Sequence, residues 1–214
     1  MGSSEIDLFG NEIVQPQSRL RDWTGNKQSA YKIIGASNHS LTERHPEEYY
    51  ATDPRAVEML LNLEIFSPRI LEPCAGGGHI SRVLESHGHE VISRDLYDRG
   101  YGESGHDFLK CDERNLDCDI VSNPPYKFAQ EFVEKGLEVV ALGHKCAWFL
   151  KLTFLEGKSR RAMFEKYPPK TVYVSSSRLS CAKNGTEWVA SSIAYCWYVW
   201  EKGFTGVPVI KWFN

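Results

Sequence analysis

Residues 70–84 read ILEPCAGGGHISRVL, and this stretch decides the fold. Ile70 and Leu71 form a short apolar run that closes on Glu72. The turn behind it carries Gly76, Gly77 and Gly78. Glycines accept backbone conformations that a Cβ forbids, and they let another group come close to the main chain. Ile80, Val83, Leu84 and His87 then fall on one helical face, with Gly88 as a suitable stop. A buried strand, a glycine turn and a helix make one α/β unit.

The alternation continues outward. HEVISRD (89–95) reads as a second strand, HDFL (106–109) as a short third and DIVSN (119–123) as a fourth. KFAQEFVEKGLEVV (127–140) reads as a helix through Phe128, Phe132 and Val133, weakened near its end by Gly136. KCAWFLKL (145–152) is a fifth strand, GKSRRAMFEKY (157–167) a helix, and KTVYVSS (170–176) and SSIAYCWYVWEK (191–202) are closing strands. Strands that are apolar throughout, with helices between them, predict a mostly parallel sheet covered on both faces. The last strand follows without a helix and is expected to run antiparallel. The fold class is therefore α/β, with up to seven strands.

Upstream, TERHPEEYYATDPRAVEMLLNL (42–63) reads as a loop and then a helix. Asp53 can cap it, Pro54 suits the first helical position, and Val57, Leu60 and Leu61 share a face. Residues 1–30 are rich in Gly, Ser, Asn and Gln, which predicts a mobile tail before a single domain over residues 31–214. No stretch approaches the roughly 20 apolar residues of a membrane span. The N-terminus lacks the build of a secretion signal, so a cytoplasmic location is expected.

The net charge of −3 excludes a globally basic nucleic-acid binder, yet the charge is unevenly spread. Residues 85–134 hold 12 acidic and 5 basic residues, whereas residues 145–183 hold 9 basic and 2 acidic ones. A basic second half offers a place for an anionic polymer, although such runs also serve as plain solvated faces. Within it, Lys158, Arg160 and Arg161 are candidate phosphate contacts among aromatics, and Arg178 is a weaker one near the sheet edge. The six cysteines show no C-x-x-C spacing, and His87-x-His89 has no partnering ligand, so no metal site is expected.

Ligands of open α/β sheets bind beyond the carboxyl ends of the strands. The glycine turn lacks the Gly-x-Gly-x-x-Gly run of nicotinamide sites, since Ser81 stands three positions after Gly78, and it lacks a P-loop lysine. Asp95 ends the second strand, where a carboxylate can accept from both ribose hydroxyls. Asp107-Phe108 can supply an acceptor for an adenine amine and an apolar face. With Glu72, these acids repel phosphates and favour a cationic, phosphate-free adenosine such as S-adenosylmethionine.

Asn123-Pro124-Pro125-Tyr126 follows the fourth strand on the same edge. An exocyclic amine conjugated with a ring is a poor nucleophile. Acceptors on both its hydrogens would free the lone pair, and Asn123 with the Pro124 carbonyl can supply them. Pro125 helps to stiffen that carbonyl, and Tyr126 can stack on a base turned out of its helix, which contributes about 1–3 kcal/mol. A polyproline-like strand exit ending in a core aromatic is the structural alternative.

Taken together, LEPCAGGG, Asp95, Asp107-Phe108 and NPPY resemble the motif series of S-adenosylmethionine-dependent N6-adenine methyltransferases. The resemblance covers roughly residues 49–200 and implies a Rossmann-like class I methyltransferase fold. It implies Asn123 and Pro124 as holders of the target amine, within a catalytic run that extends through Pro125 and Tyr126. It implies a cofactor site of Glu72, Cys74, Ala75, Gly76, Gly78, Asp95, Leu96, Asp107, Phe108 and Asn123, closed by Tyr50, Thr52 and Pro54 of YYATDP. DLFGNEI (7–13) and the short length are similar to phage and prophage orphan enzymes, which implies a bacterial or phage-infected host cell. Intervals of 44 residues between Gly78 and Asn123 and 88 after Tyr126 leave no room for a separate target-recognition domain. The expected partner is DNA. RNA, a protein glutamine side chain, or a non-catalytic binding role are the alternatives.

Overall fold

In the computed structural model of the chain, the residues described are 49–177, 179, 181–183, 187–189 and 193–213, the last two short strands by backbone alone. The tail expected over residues 1–30, and Arg178, lie outside them.

Seven strands form one sheet: β2 (Arg69–Glu72), β3 (Glu90–Ser93), β4 (Asp119–Ser122), β5 (Lys145–Lys151), β6 (Thr171–Ser175), β9 (Tyr195–Glu201) and β10 (Val209–Phe213). Their spatial order is β10-β6-β9-β5-β4-β2-β3. β9 runs antiparallel between β5 and β6, and every other pairing is parallel. This is the expected mostly parallel sheet with the antiparallel strand drawn from residues 191–202. HDFL is not part of it. Asp107 caps Leu109 N at 3.2 Å and turns Phe108–Lys110 into a single 3-10 turn. β10, which lies beyond the last strand expected, completes the seven.

The two faces are sorted by the two-residue period of the strands. Ile70, Val121, Ala147, Phe149, Trp197 and Val199 point to one side. There they meet α1 (Pro54–Leu61) through Ala56, Val57 and Leu60, and α2 (His79–Ser86) through Ile80, Val83 and Leu84. Leu71, Ile120, Cys146, Trp148, Leu150, Cys196, Tyr198 and Trp200 point to the other side, against Phe132, Val133 and Leu137 of α3 (Ala129–Val139). Two buried indoles keep a hydrogen bond: Trp197 donates to Ala56 O at 2.8 Å and Trp200 to Tyr167 O at 2.9 Å. The helix expected over 157–167 is a 3-10 turn at Lys158–Arg160 followed by α4 (Arg161–Lys166).

α1 begins as its sequence implies, with Asp53 accepting from Arg55 N at 3.0 Å and Pro54 in the first turn. The segment before it is not loop throughout. β1 (Tyr50–Thr52) pairs antiparallel with β7 (Cys181–Lys183), which pairs in turn with β8 (Glu187–Val189) in a separate three-stranded sheet.

Candidate active site

The carboxyl ends of β2, β3 and β4 converge, and each delivers one part of the site. After Glu72 the chain turns through Gly78, whose N–H donates to Ala75 O at 2.8 Å. Gly76 and Gly78 hold φ of 54° and 77°, conformations that favour glycine. They also admit close neighbours. A Cβ on Gly76 would stand 3.0 Å from the Tyr49 ring, and one on Gly78 would stand 2.6 Å from the Tyr101 ring. Side chains of this chain therefore wall the turn.

Asp95 follows β3 and is 8% exposed. One carboxylate oxygen accepts from Gly76 N and the other from Tyr97 N, each at 2.9 Å. Strand end and glycine turn are thus tied together through the acid that was expected at the ribose, and its remaining lone pairs stay available for hydroxyl donors. Arg99 Nε approaches the same carboxylate at 3.8 Å. Its guanidinium lies 4.5 Å from the centre of the Tyr49 ring and 5.3 Å from that of Tyr97.

Glu72 is turned away from the rim. It is 1% exposed and accepts from the Ser81 hydroxyl at the start of α2. Ser81 and Ser93 share a further contact at 2.6 Å. Burial pushes the Glu72 carboxyl well above its ordinary range, the Ser81 hydrogen bonds oppose this, and nearby Asp95 and Glu85 add to it. Cys74 is driven up in the same way by burial, with help from Asp95 and Glu72, and stays a thiol beside Ser122. Neither residue presents a charge to the rim.

The third part is Asn123. Its Nδ2 lies 2.8 Å from Tyr50 O and 3.0 Å from Thr52 Oγ1. A backbone carbonyl can only accept, so the amide nitrogen must face Tyr50 and the orientation of the carboxamide is fixed chemically. With both N–H bonds committed to β1, Oδ1 is the acceptor left over. No described residue donates to the neighbouring Pro124 carbonyl, while the Pro125 carbonyl accepts from Phe128 N at 2.9 Å and starts the next turn. The half-buried Tyr126 ring stands 5.7 Å from that of Tyr195, and Lys151 Nζ is 5.1 Å from its centre.

The dipeptide Tyr49-Tyr50 joins these parts, since Tyr49 lies on Gly76 and Gly77 while the Tyr50 carbonyl holds Asn123. Other expected site residues fall into place unevenly. Thr52 is buried and bonded to Asn123, whereas Pro54 is exposed at the start of α1. Ala75 is buried in the turn, and Leu96 is 47% exposed beside Asp95. Asp107 pairs with Lys110 at 2.9 Å and borders a cleft of about 280 Å3 with Pro73, Arg94 and His106. Phe108 lines the same cleft, although only 6% of it is exposed. It stacks on Phe132 at 5.5 Å within the apolar layer of α3, because a strand-end aromatic next to that helix gains more by burial than by waiting at the rim.

The expected phosphate contacts also divide. Arg160 gives its guanidinium to the carbonyls of Phe154 at 2.8 Å, of Thr153 at 3.3 Å and of Glu156, so it fastens its own loop. Arg161 pairs with Glu165 at 2.7 Å on the exposed face of α4, and Lys158 is exposed. Tyr49, Tyr97, Arg99 and Tyr101 belong to the site and were not anticipated. For Arg99 and Tyr101 the signal in the sequence is the DRGYG run (98–102), where Gly100 and Gly102 take φ of 76° and 67° around Tyr101. Among the described residues, no group of three or more His, Cys, Asp or Glu could hold a metal ion, and no helix is long and apolar enough to cross a membrane.

The sequence matches no family model and no curated protein. Its structure resembles that of a predicted O-methyltransferase from Agrobacterium tumefaciens, at 11% identity and a TM-score of 0.55, covering 75% of this chain and 85% of that one. It also resembles a tRNA methyltransferase, TrmI, from Aquifex aeolicus, at 12% identity and a TM-score of 0.52, covering 76% and 74%. A third likeness is to a protein described as a type I restriction enzyme modification subunit from Vibrio vulnificus, at 12% identity and a TM-score of 0.53, covering 86% of this chain and 50% of that one. The fold is therefore the Rossmann-like fold of class I methyltransferases.

Proposed function

We propose that this chain is an S-adenosylmethionine-dependent methyltransferase acting on the exocyclic N6 amine of adenine in DNA. The observation that carries the reading is the locked carboxamide of Asn123, whose Nδ2 is spent on Tyr50 O and Thr52 Oγ1. An Asn held in this way beside a proline carbonyl presents two acceptors to one amine. Acceptors fixed before the reaction need no reorganisation during it.

The residues present fit the cofactor. Asp95 is fastened at the strand end with acceptor capacity left, and it ties that end to the glycine turn through Gly76 N. The buried Glu72 and the half-buried Cys74 beneath are both pushed toward their neutral forms by desolvation. When bound, S-adenosylmethionine supplies an electrophilic methyl group on a sulfonium. Asn123 Oδ1 and the Pro124 carbonyl would accept hydrogen bonds from the two amine hydrogens and draw the nitrogen lone pair out of the ring system, and the one proton lost on methylation would pass to water. Tyr126, half-buried in the same turn beside Tyr195, is the ring nearest Asn123 in sequence on which an extruded base would stack. Lys158 is exposed and Arg161, although paired with Glu165, stands on the exposed face of α4, where phosphates can reach both, and a nucleic-acid substrate accords with nucleic-acid enzymes among the similar folds.

The test is methyl-labelled cofactor given to separate DNA, RNA and protein pools, followed by digestion and mass spectrometry. Label in N6-methyladenine from DNA is expected. Label in RNA or in glutamine would move the substrate, and no label in any pool would leave a binding module. Asn123→Ala should lower transfer about a hundredfold or more while cofactor affinity stays within several-fold.

A further inference from the structure

Among the described residues, two guanidinium groups lie against the rings that wall the glycine turn, and only one of them donates a hydrogen bond. Arg82 donates to Gly77 O at 2.7 Å and sits 4.6 Å over the Tyr101 ring. The Arg99 guanidinium lies 4.5 Å from the centre of the Tyr49 ring and 5.3 Å from that of Tyr97, and among the described residues it donates no hydrogen bond. Its approach to Asp95, at 3.8 Å, is too long for a hydrogen bond. Arg99 Nε is buried with no hydrogen-bond partner among the described residues, although the side chain as a whole is 15% exposed. Native structures rarely leave such a donor orphaned without a reason, and a missing ligand is one.

The location narrows what that ligand is. Tyr49, on which Arg99 stacks, rests on Gly76 and Gly77, and the field of Arg99 reaches Cys74 in the same turn. Asp95, beside it, accepts from Gly76 N. A planar fork with free N–H bonds next to a glycine turn is shaped for a carboxylate. The methyl donor named above carries one anionic group, the α-carboxylate of its amino-acid end. Next to the acid of Asp95, that carboxylate would be repelled unless a cation met it. We propose that Arg99 receives the α-carboxylate of the methyl donor and so sets which end of the molecule lies against the Tyr49 side of the turn. This inference rests on the cofactor reading above.

The experiment compares two ligands that differ by that one group, S-adenosylmethionine and its decarboxylated form, by titration calorimetry on the full chain. The wild type should prefer the carboxylated ligand. Arg99→Met should weaken that ligand by roughly tenfold to a hundredfold, the range for a lost charge-assisted contact, and bind the decarboxylated ligand at least as well as before. Arg99→Lys, which keeps the charge without the fork, should keep the preference in reduced form. Retained binding of the decarboxylated ligand also shows that each variant is folded at the site. Equal weakening of both ligands in the Met and Lys variants, or no change in either, would overturn the role of Arg99. A wild type that binds neither ligand would instead remove the cofactor reading itself.

Discussion

At the scale of single residues, Asn123 is held by two acceptors of unequal kind. Tyr50 O is backbone and cannot be removed by substitution, but Thr52 Oγ1 can. Thr52→Val preserves shape and leaves one Nδ2 hydrogen unpaired near a buried position, at a cost of about 1–3 kcal/mol. The carboxamide keeps its orientation through Tyr50, so turnover should fall about tenfold with cofactor affinity unchanged. Single-turnover kinetics with saturating cofactor measure this, and an undiminished rate would mean that Thr52 does not position Asn123. The places of Asn123 and Asp95 just beyond β4 and β3 were legible in the sequence because the strands before them carry their own apolar runs. The packing of Phe108 was not legible, since nothing local tells that its ring both borders the cleft beside Asp107 and stacks into the α3 layer. Tyr49 and Arg99 were not read at all, because a ring lying on a glycine is a tertiary contact between positions far apart in the chain.

At the scale of elements, Gly136 shows how a local rule can point the wrong way. In the sequence it weakens the helix over 127–140, and glycine costs a helix interior about 1 kcal/mol relative to alanine. In α3 it faces β5, where an added Cβ would stand 2.8 Å from Trp148 Cζ2 and 3.2 Å from Cys146 Sγ. Trp148 is fully buried and has no room to withdraw. Gly136→Ala should therefore destabilise by about 1–3 kcal/mol through overpacking, in spite of the better helix propensity. A lower denaturant midpoint at unchanged slope is the expected result, and a higher midpoint would show that α3 can lift off β5. The long apolar strands and amphipathic helices were legible because each carries its own period. β1 was not, since three residues offer no period and its partner β7 lies about 130 residues away in the chain. HDFL was misassigned because the Asp107 side chain competes successfully for the backbone that a strand would need.

At the scale of the whole molecule, two apolar layers enclose the sheet, and the ionisable groups they bury make stability depend on pH. Glu64 lies at the end of this network, paired with Lys145 at 2.6 Å and accepting from Tyr173 at 2.7 Å. Burial pushes its carboxyl up, but the Lys145 and Tyr173 bonds prevail and hold it below its ordinary value of 4.5. Its stabilisation is thus present above that value and is lost as pH falls through the lowered one. Glu72 acts in the opposite sense. Its folded-state value is raised well above 4.5 by burial, so the folded chain keeps a proton that the unfolded chain releases. The contribution of Glu72 is complete below about 4.5 and declines as pH rises toward the raised value. Glu72→Gln keeps an acceptor for the Ser81 hydroxyl and removes the titration. Urea midpoints taken from pH 4.5 upward should therefore decline for the wild type more steeply than for this variant, which should be the more stable of the two at neutral pH. Parallel profiles would mean that Glu72 is ionised in the folded chain, and the turn that carries Gly76 would then rest on a buried negative charge that only a cation above it could offset.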